Sequence, residues 1–132
     1  MRSLRTRDTL AEMRVRRLLH SQGLRYRVDY KPLKDLRRRA DIVFPAKHVA
    51  VFIDGCFWHS CPLHGQYPVA NAEWWADKLR RTSERDRETD QILMERGWTV
   101  LRFWEHEEPA EVASEIVRIV HEEKPQTGKV RP

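Results

Sequence analysis

The hydrophobic pattern of this 132-residue chain predicts an α/β sandwich around a mixed sheet, with elements in the order αβββαβα. Three observations carry that expectation. Apolar residues recur at helical spacing in residues 9–22 and 71–96, alternating or wholly apolar runs bounded by Gly and Pro stand between them, and the unbroken run Val49 to Ile53 has the character of a strand covered on both faces. The length suits one domain with one core, set at residues 1–123, and a tail at 124–132.

Residues 9–22 form the first predicted helix, because Leu10, Met13, Val15, Leu18 and Leu19 recur at about helical spacing and Gly23 supplies a stop. Leu24, Tyr26 and Val28 then alternate with Arg25, Arg27 and Asp29, the pattern of a half-buried strand. After a turn at Pro32 to Leu36, a second strand runs from Ala40 to Phe44 and ends at Pro45; the third is Val49 to Ile53. Asp54 to Ala70 has no period and is dense in Cys, His, Gly and Pro, a long loop for so small a domain. Residues 71–96 read as a helix with Trp75, Leu79, Ile92, Leu93 and Met94 as core candidates, closed by Gly97. Trp98 to Trp104 is the fourth strand, setting Trp98, Val100 and Arg102 against Thr99, Leu101 and Phe103. Pro109 opens the last helix, whose apolar positions are Val112, Ile116, Ile119 and Val120. From Lys124 onward no apolar period survives, so a disordered tail is expected.

A formal charge of +5, from 25 Lys+Arg against 20 Asp+Glu, points to a polyanionic partner, nucleic acid first. Arg2, Arg5, Arg7, Arg14, Arg16 and Arg17 form one cationic block and Arg37 to Arg39 another; each fits either a phosphate-tracking surface or a solvated face. The longest apolar run is too short to span a bilayer, and no signal or anchor motif is visible. A cytoplasmic monomer with no membrane partner is therefore expected.

Asp41 lies inside a short apolar strand, where a carboxylate is costly without a partner or a cation. It reads either as a metal-binding acid or as an exposed edge residue. Asp54 ends the next strand, and adjacent strands bring both acids to one end of the sheet, where they repel unless a cation lies between them. Mg²⁺ is the hard, oxygen-seeking ion that suits such acids and phosphate chemistry. Glu12 shares a helix face with Val15 and Leu19, yet Thr9-Leu10-Ala11-Glu12 is also a capping box, and the local sequence favours the cap. His59 is a candidate general base or a zinc ligand. Cys56, Cys61 and His64 supply three zinc-competent groups in close sequence, which His106 at the end of the last strand completes to a tetrahedral set; a pair of free thiols is the alternative. Phe57, Trp58, Trp74 and Trp75 cluster around this loop, to stack on bases or fill the core. One of Trp74 and Trp75 must face inward, since neighbouring helical positions point about 100° apart.

The run Phe52-Ile53-Asp54-Gly55-Cys56-Phe57-Trp58-His59-Ser60-Cys61-Pro62, preceded by Arg39-Ala40-Asp41-Ile42-Val43-Phe44, closely resembles the very short patch repair (Vsr) DNA mismatch endonucleases. Thr6-Arg7-Asp8-Thr9 before Glu12, Trp74-Trp75 before Lys78, Arg85-Asp86, and Gly97-Trp98 leading to Trp104-Glu105 extend the likeness over residues 1–108. The resemblance implies a restriction-endonuclease-like three-layer fold. It also implies Mg²⁺-dependent nicking of one strand of double-stranded DNA at a T:G mismatch left by deamination of 5-methylcytosine, with mismatch-repair proteins as further partners. By the same resemblance Asp41 is the principal Mg²⁺ ligand and the Ile53 carbonyl a second, His59 activates the attacking water, and Glu12 supports the site. Structural Zn²⁺ falls on Cys56, Cys61, His64 and His106, while Phe57, Trp58 and Trp75 match an aromatic wedge and Arg7, Lys78 and Arg85 are DNA contacts.

Three features depart from the family pattern. Asp54 stands where some members have a phosphate-contacting histidine, which makes it a further candidate metal ligand, and Thr82 replaces an asparagine. The chain also starts only a few residues before Thr6, so the longer arm that embraces the minor groove is largely missing and relaxed mismatch selectivity is expected. Two rivals stand beside this reading: a nuclease of a defence or mobile element without mismatch preference, and a catalytically silent zinc-containing DNA-binding module.

Overall fold

The computed structural model describes residues 10–55 and 72–121, and the backbone of 128–130. Helix α1 (Leu10–Ser21), strands β1 (Arg27–Tyr30), β2 (Ala40–Phe44) and β3 (Val49–Asp54), helix α2 (Ala72–Glu95), strand β4 (Thr99–Trp104), helix α3 (Pro109–Val120) and strand β5 (Gly128–Val130) follow in that order. The strands lie side by side in chain order in one sheet. β1, β2 and β3 are antiparallel, whereas β3, β4 and β5 run parallel, so the sheet is mixed as expected. Antiparallel β2 and β3 need only a short link, here a single 3₁₀ turn at Pro45–Lys47 with His48 in the left-handed region at φ 56°. Parallel β3 and β4 need a crossover, and α2 lies on it.

Alternation along the strands sends successive side chains to opposite faces, and both faces are covered. Val15 and Leu19 of α1, with Val112, Ile116 and Ile119 of α3, pack against Ile42, Phe44, Val49, Val51, Leu101 and Phe103. On the other face, Leu93 of α2 meets Val43, Ala50, Phe52, Val100 and Trp98. This gives three layers, helix on sheet on helix, and explains why Val49 to Ile53 carries no polar residue.

Several sequence expectations are corrected. Leu10 and Leu18 face solvent, because α1 buries only the stripe Glu12, Val15 and Leu19, spaced one turn apart. β1 starts at Arg27 instead of Leu24: Leu24 and Tyr26 pack on the core, but the ladder to β2 begins at Arg27↔Val43. Gly128–Val130, expected within a tail, pairs in parallel with β4 from Thr99↔Gly128 to Leu101↔Val130. Main-chain pairing along a strand edge needs no apolar period, so pattern reading does not detect it. Gly23 and Gly97 take positive φ (81° and 85°) just past α1 and α2, as helix-stopping glycines do. Among the described residues, no helix is long and apolar enough to cross a membrane.

Candidate active site

The site begins where two strands part. The registered β2–β3 ladder runs from Phe44↔Val49 to Ile42↔Val51 and stops. Past that point the Ile53 N–H donates to Asp41 Oδ2 at 2.7 Å, so a side chain takes the place of a strand partner. Asp41 is thereby fixed, partly buried, in the fork between β2 and β3. Glu12 lies on the buried face of α1 with Val15 and Leu19, 1 % exposed, and its Oε2 is 3.4 Å from Arg16 Nη1. The structure thus bears out the inward aim of Glu12; its capping partner Thr9 lies outside the described residues.

Burial pushes the Asp41 carboxyl up most strongly. The Ile53 N–H opposes it, Glu12 and Asp54 add to it and Arg102 takes part back, leaving it at about 8. A buried carboxyl raised this far is costly to ionise, a cost that a divalent cation relieves. Without such a cation, stability should fall as pH rises. The folded value of about 8 lies above the ordinary carboxylate value, so the proton-linked stability is intact below roughly pH 4 and is lost as pH rises through the folded value. Melting temperatures in EDTA from about pH 5 to 9 check this, and a wild-type profile no steeper than that of Asp41→Asn would contradict it.

Asp54 was expected beside Asp41 as a second acid for the cation. Asp54 does lie near enough to raise the Asp41 carboxyl, and its carboxylate is also held by Arg102, whose Nη1 donates to Oδ1 at 2.9 Å and Oδ2 at 3.2 Å. Arg102 Nε donates to both oxygens of Asp90 at 2.8 and 2.9 Å, Nη2 stands 3.8 Å from Asp86 Oδ1, and the guanidinium carbon lies 4.1 Å from the centre of the Phe52 ring. Asp54, Asp90 and Arg102 are all buried. An internal guanidinium therefore already supplies the positive charge that a metal was expected to bring to Asp54. Arg102 is the residue that the sequence reading left without a role. Its inward phase on β4 was the available signal, because a buried arginine requires acids, and Asp86 and Asp90 one turn apart on α2 offer them.

The remaining candidates divide. Trp75 is partly buried and Trp74 is 57 % exposed, their rings edge-on at 4.7 Å, with Lys78 Nζ 5.7 Å from the centre of the Trp74 ring. Trp74 is thus the more solvent-facing member of the pair, while Trp75, which the resemblance assigns to the wedge, is half-buried. The Thr82 hydroxyl donates to the Lys78 carbonyl at 3.2 Å. Arg85 is exposed. Two residues of the Arg37 to Arg39 block are bound to the protein itself: Arg38 donates to Thr89, Glu88 and the Arg85 carbonyl, and Arg39 to the Asp29 carbonyl. His106 is exposed just beyond β4, its ring parallel to Trp104 within 10° at 6.5 Å. Arg7, Cys56, Phe57, Trp58, His59, Cys61 and His64 lie outside the described residues. Among the described residues, no three His, Cys, Asp or Glu side chains are placed together to hold a metal ion.

Residues 1–64, which include Glu12, Asp41 and Ile53, match the family model for DNA mismatch endonuclease Vsr. The chain is 47 % identical over 123 residues to the type II nicking enzyme V.NaeI of Lentzea aerocolonigenes, an alignment covering 92 % of this chain and 74 % of that protein. The chain belongs to the Vsr endonuclease family. It is also 38 % identical over 109 residues to the type II nicking enzyme V.XorIIP of Xanthomonas oryzae pv. oryzae, covering 81 % of this chain and 77 % of the relative. To the DNA mismatch endonuclease Vsr of Escherichia coli K12 it is 40 % identical over 107 residues, covering 80 % and 66 %. As a Vsr-family member the chain is a DNA endonuclease. Asp90 and Arg102 fall beyond the residues matched by the Vsr model.

Proposed function

We propose that this Vsr-family endonuclease hydrolyses, with Mg²⁺, the phosphodiester beside the T of a T:G mismatch, nicking one strand of double-stranded DNA on a restriction-endonuclease-like scaffold. The observation that carries the reading is Asp41 in the β2–β3 fork, tethered by the Ile53 N–H and buried near Glu12 and Asp54, so that its charged form is costly without a cation. The donor set fits the ion: the Asp41 carboxylate and the Ile53 carbonyl are hard oxygen ligands. Mg²⁺ commonly uses one or two carboxylates and completes its shell with water and phosphate oxygens, so a cage of three acidic side chains is not required. When bound, the ion supplies neutralisation of the transferring phosphate and a more acidic water.

The chain's own residues do the rest. The Ile53 N–H orients Asp41, Glu12 keeps the field around it negative, and His59 accepts the proton of the attacking water. Exposed Lys78, Arg85 and Trp74 lie on the same helix, a surface suited to phosphates and bases. Cys56, Cys61, His64 and His106 are the donors proposed for structural Zn²⁺, a set of soft and borderline ligands. Metal analysis should then find about one zinc per chain, lost in Cys56→Ser or Cys61→Ser; zinc-free folded protein would remove that assignment.

Strand-specific nicking of end-labelled duplexes, one with a T:G mismatch and one fully matched, in Mg²⁺ and in EDTA, tests the reaction. Nicking confined to the T strand of the mismatched duplex in Mg²⁺ is the expected result. The relatives named as type II nicking enzymes favour a second reading, a restriction-like nuclease without mismatch preference, which equal nicking of both duplexes would select. Mismatch binding without cleavage would overturn both.

A further inference from the structure

We propose that Arg102 is a positioning residue for the cation site: it withholds Asp54 from the metal and pins the end of β3, and with it Ile53, to α2. The inference rests on the reading of Asp41 as the cation's ligand and extends it. One guanidinium spans two elements, with Nη1 on both oxygens of Asp54 at the end of β3 and Nε on both oxygens of Asp90 in α2. The parallel register pairs Phe52 with Arg102, and the Phe52 ring covers the guanidinium from the strand side. Asp54 is one residue from Ile53, whose N–H holds Asp41, so the clamp on Asp54 sets the fork from below. A planar fork with separate Nε and Nη donors makes this double grip; a lysine ammonium carries the charge without that geometry.

The test is nicking rate against Mg²⁺ concentration for wild type, Asp54→Asn, Arg102→Lys and Asp41→Asn, each at a temperature well below its own melting transition. Asp54→Asn should lower nicking about tenfold, through the maximal rate, the half-saturating Mg²⁺ concentration or both, in the range of changes to residues that orient metal ligands. Arg102→Lys should show the same pattern in both quantities, because it breaks the same clamp from its other side. A half-saturating concentration raised about tenfold or more in Asp54→Asn and unaltered in Arg102→Lys would make Asp54 a metal ligand and overturn the proposal, as would wild-type behaviour in both variants. Should Arg102→Lys fail to fold, Asp90→Asn takes its place in the comparison. Full activity in Asp41→Asn would instead remove the underlying reading, a result separable from either outcome at position 54.

Discussion

Asp41→Asn is expected to lower the nicking rate by about a thousandfold or more while raising the melting temperature of the metal-free protein at pH 8. The first effect follows from the role proposed for the carboxylate. A neutral amide is a poor Mg²⁺ ligand, and losing the ion removes charge neutralisation at the phosphate and activation of water together; a thousandfold in rate corresponds to about 4 kcal/mol of transition-state stabilisation. The second effect follows from burial and from the negative field of Glu12 and Asp54, which together raise the Asp41 carboxyl to about 8. Asparagine keeps an oxygen for the Ile53 N–H but carries no charge to repel those acids. Activity and stability should therefore move in opposite directions, as they do where a site holds a group in an unfavourable environment for its chemistry. Single-turnover nicking in Mg²⁺ and thermal melting in EDTA read the two effects. Retained activity would remove Asp41 from the mechanism, and a lower melting temperature would show that its charge is stabilising.

Arg102→Met is expected to cost about 3–5 kcal/mol, the scale seen when one partner of a buried ion pair is removed. A small domain has only about 5–15 kcal/mol in all. Methionine fills much of the volume over Phe52, so the loss is electrostatic: Asp54 and Asp90 are left charged, buried and without their guanidinium. This origin is testable, because neutralising both acids with Asp54→Asn and Asp90→Asn in the same chain should recover most of the loss. Urea denaturation at neutral pH measures both. A cost below about 1 kcal/mol, or no recovery in the triple variant, would show that the network contributes little.

The fold was legible because hydrophobic period is a local property. β2 was delimited correctly by Ala40 and Pro45, and Gly97 and Pro109 marked the end of α2 and the start of α3. β5 was not legible, since its three residues are held by main-chain pairing to β4 and carry no pattern of their own. The site divided in the same way. Asp41 announced itself as an acid in an apolar strand, whereas Glu12 read locally as a helix cap, and only packing shows that the phase it shares with Val15 and Leu19 buries it. That Asp54 belongs with Arg102 and Asp90 depends on the parallel register of β3 and β4 and on how α2 lies across them, neither of which a single sequence displays.

The guanidinium clamp also constrains how this protein can diverge. Asp54 and Asp90 hold one arginine between them, so a neutral side chain at position 102 strands two buried acids at once. Positions 54, 90 and 102 are expected to change as a set across lineages, and in a library that varies all three at once, folded members that lose Arg102 should have lost the charges at 54 and 90 as well.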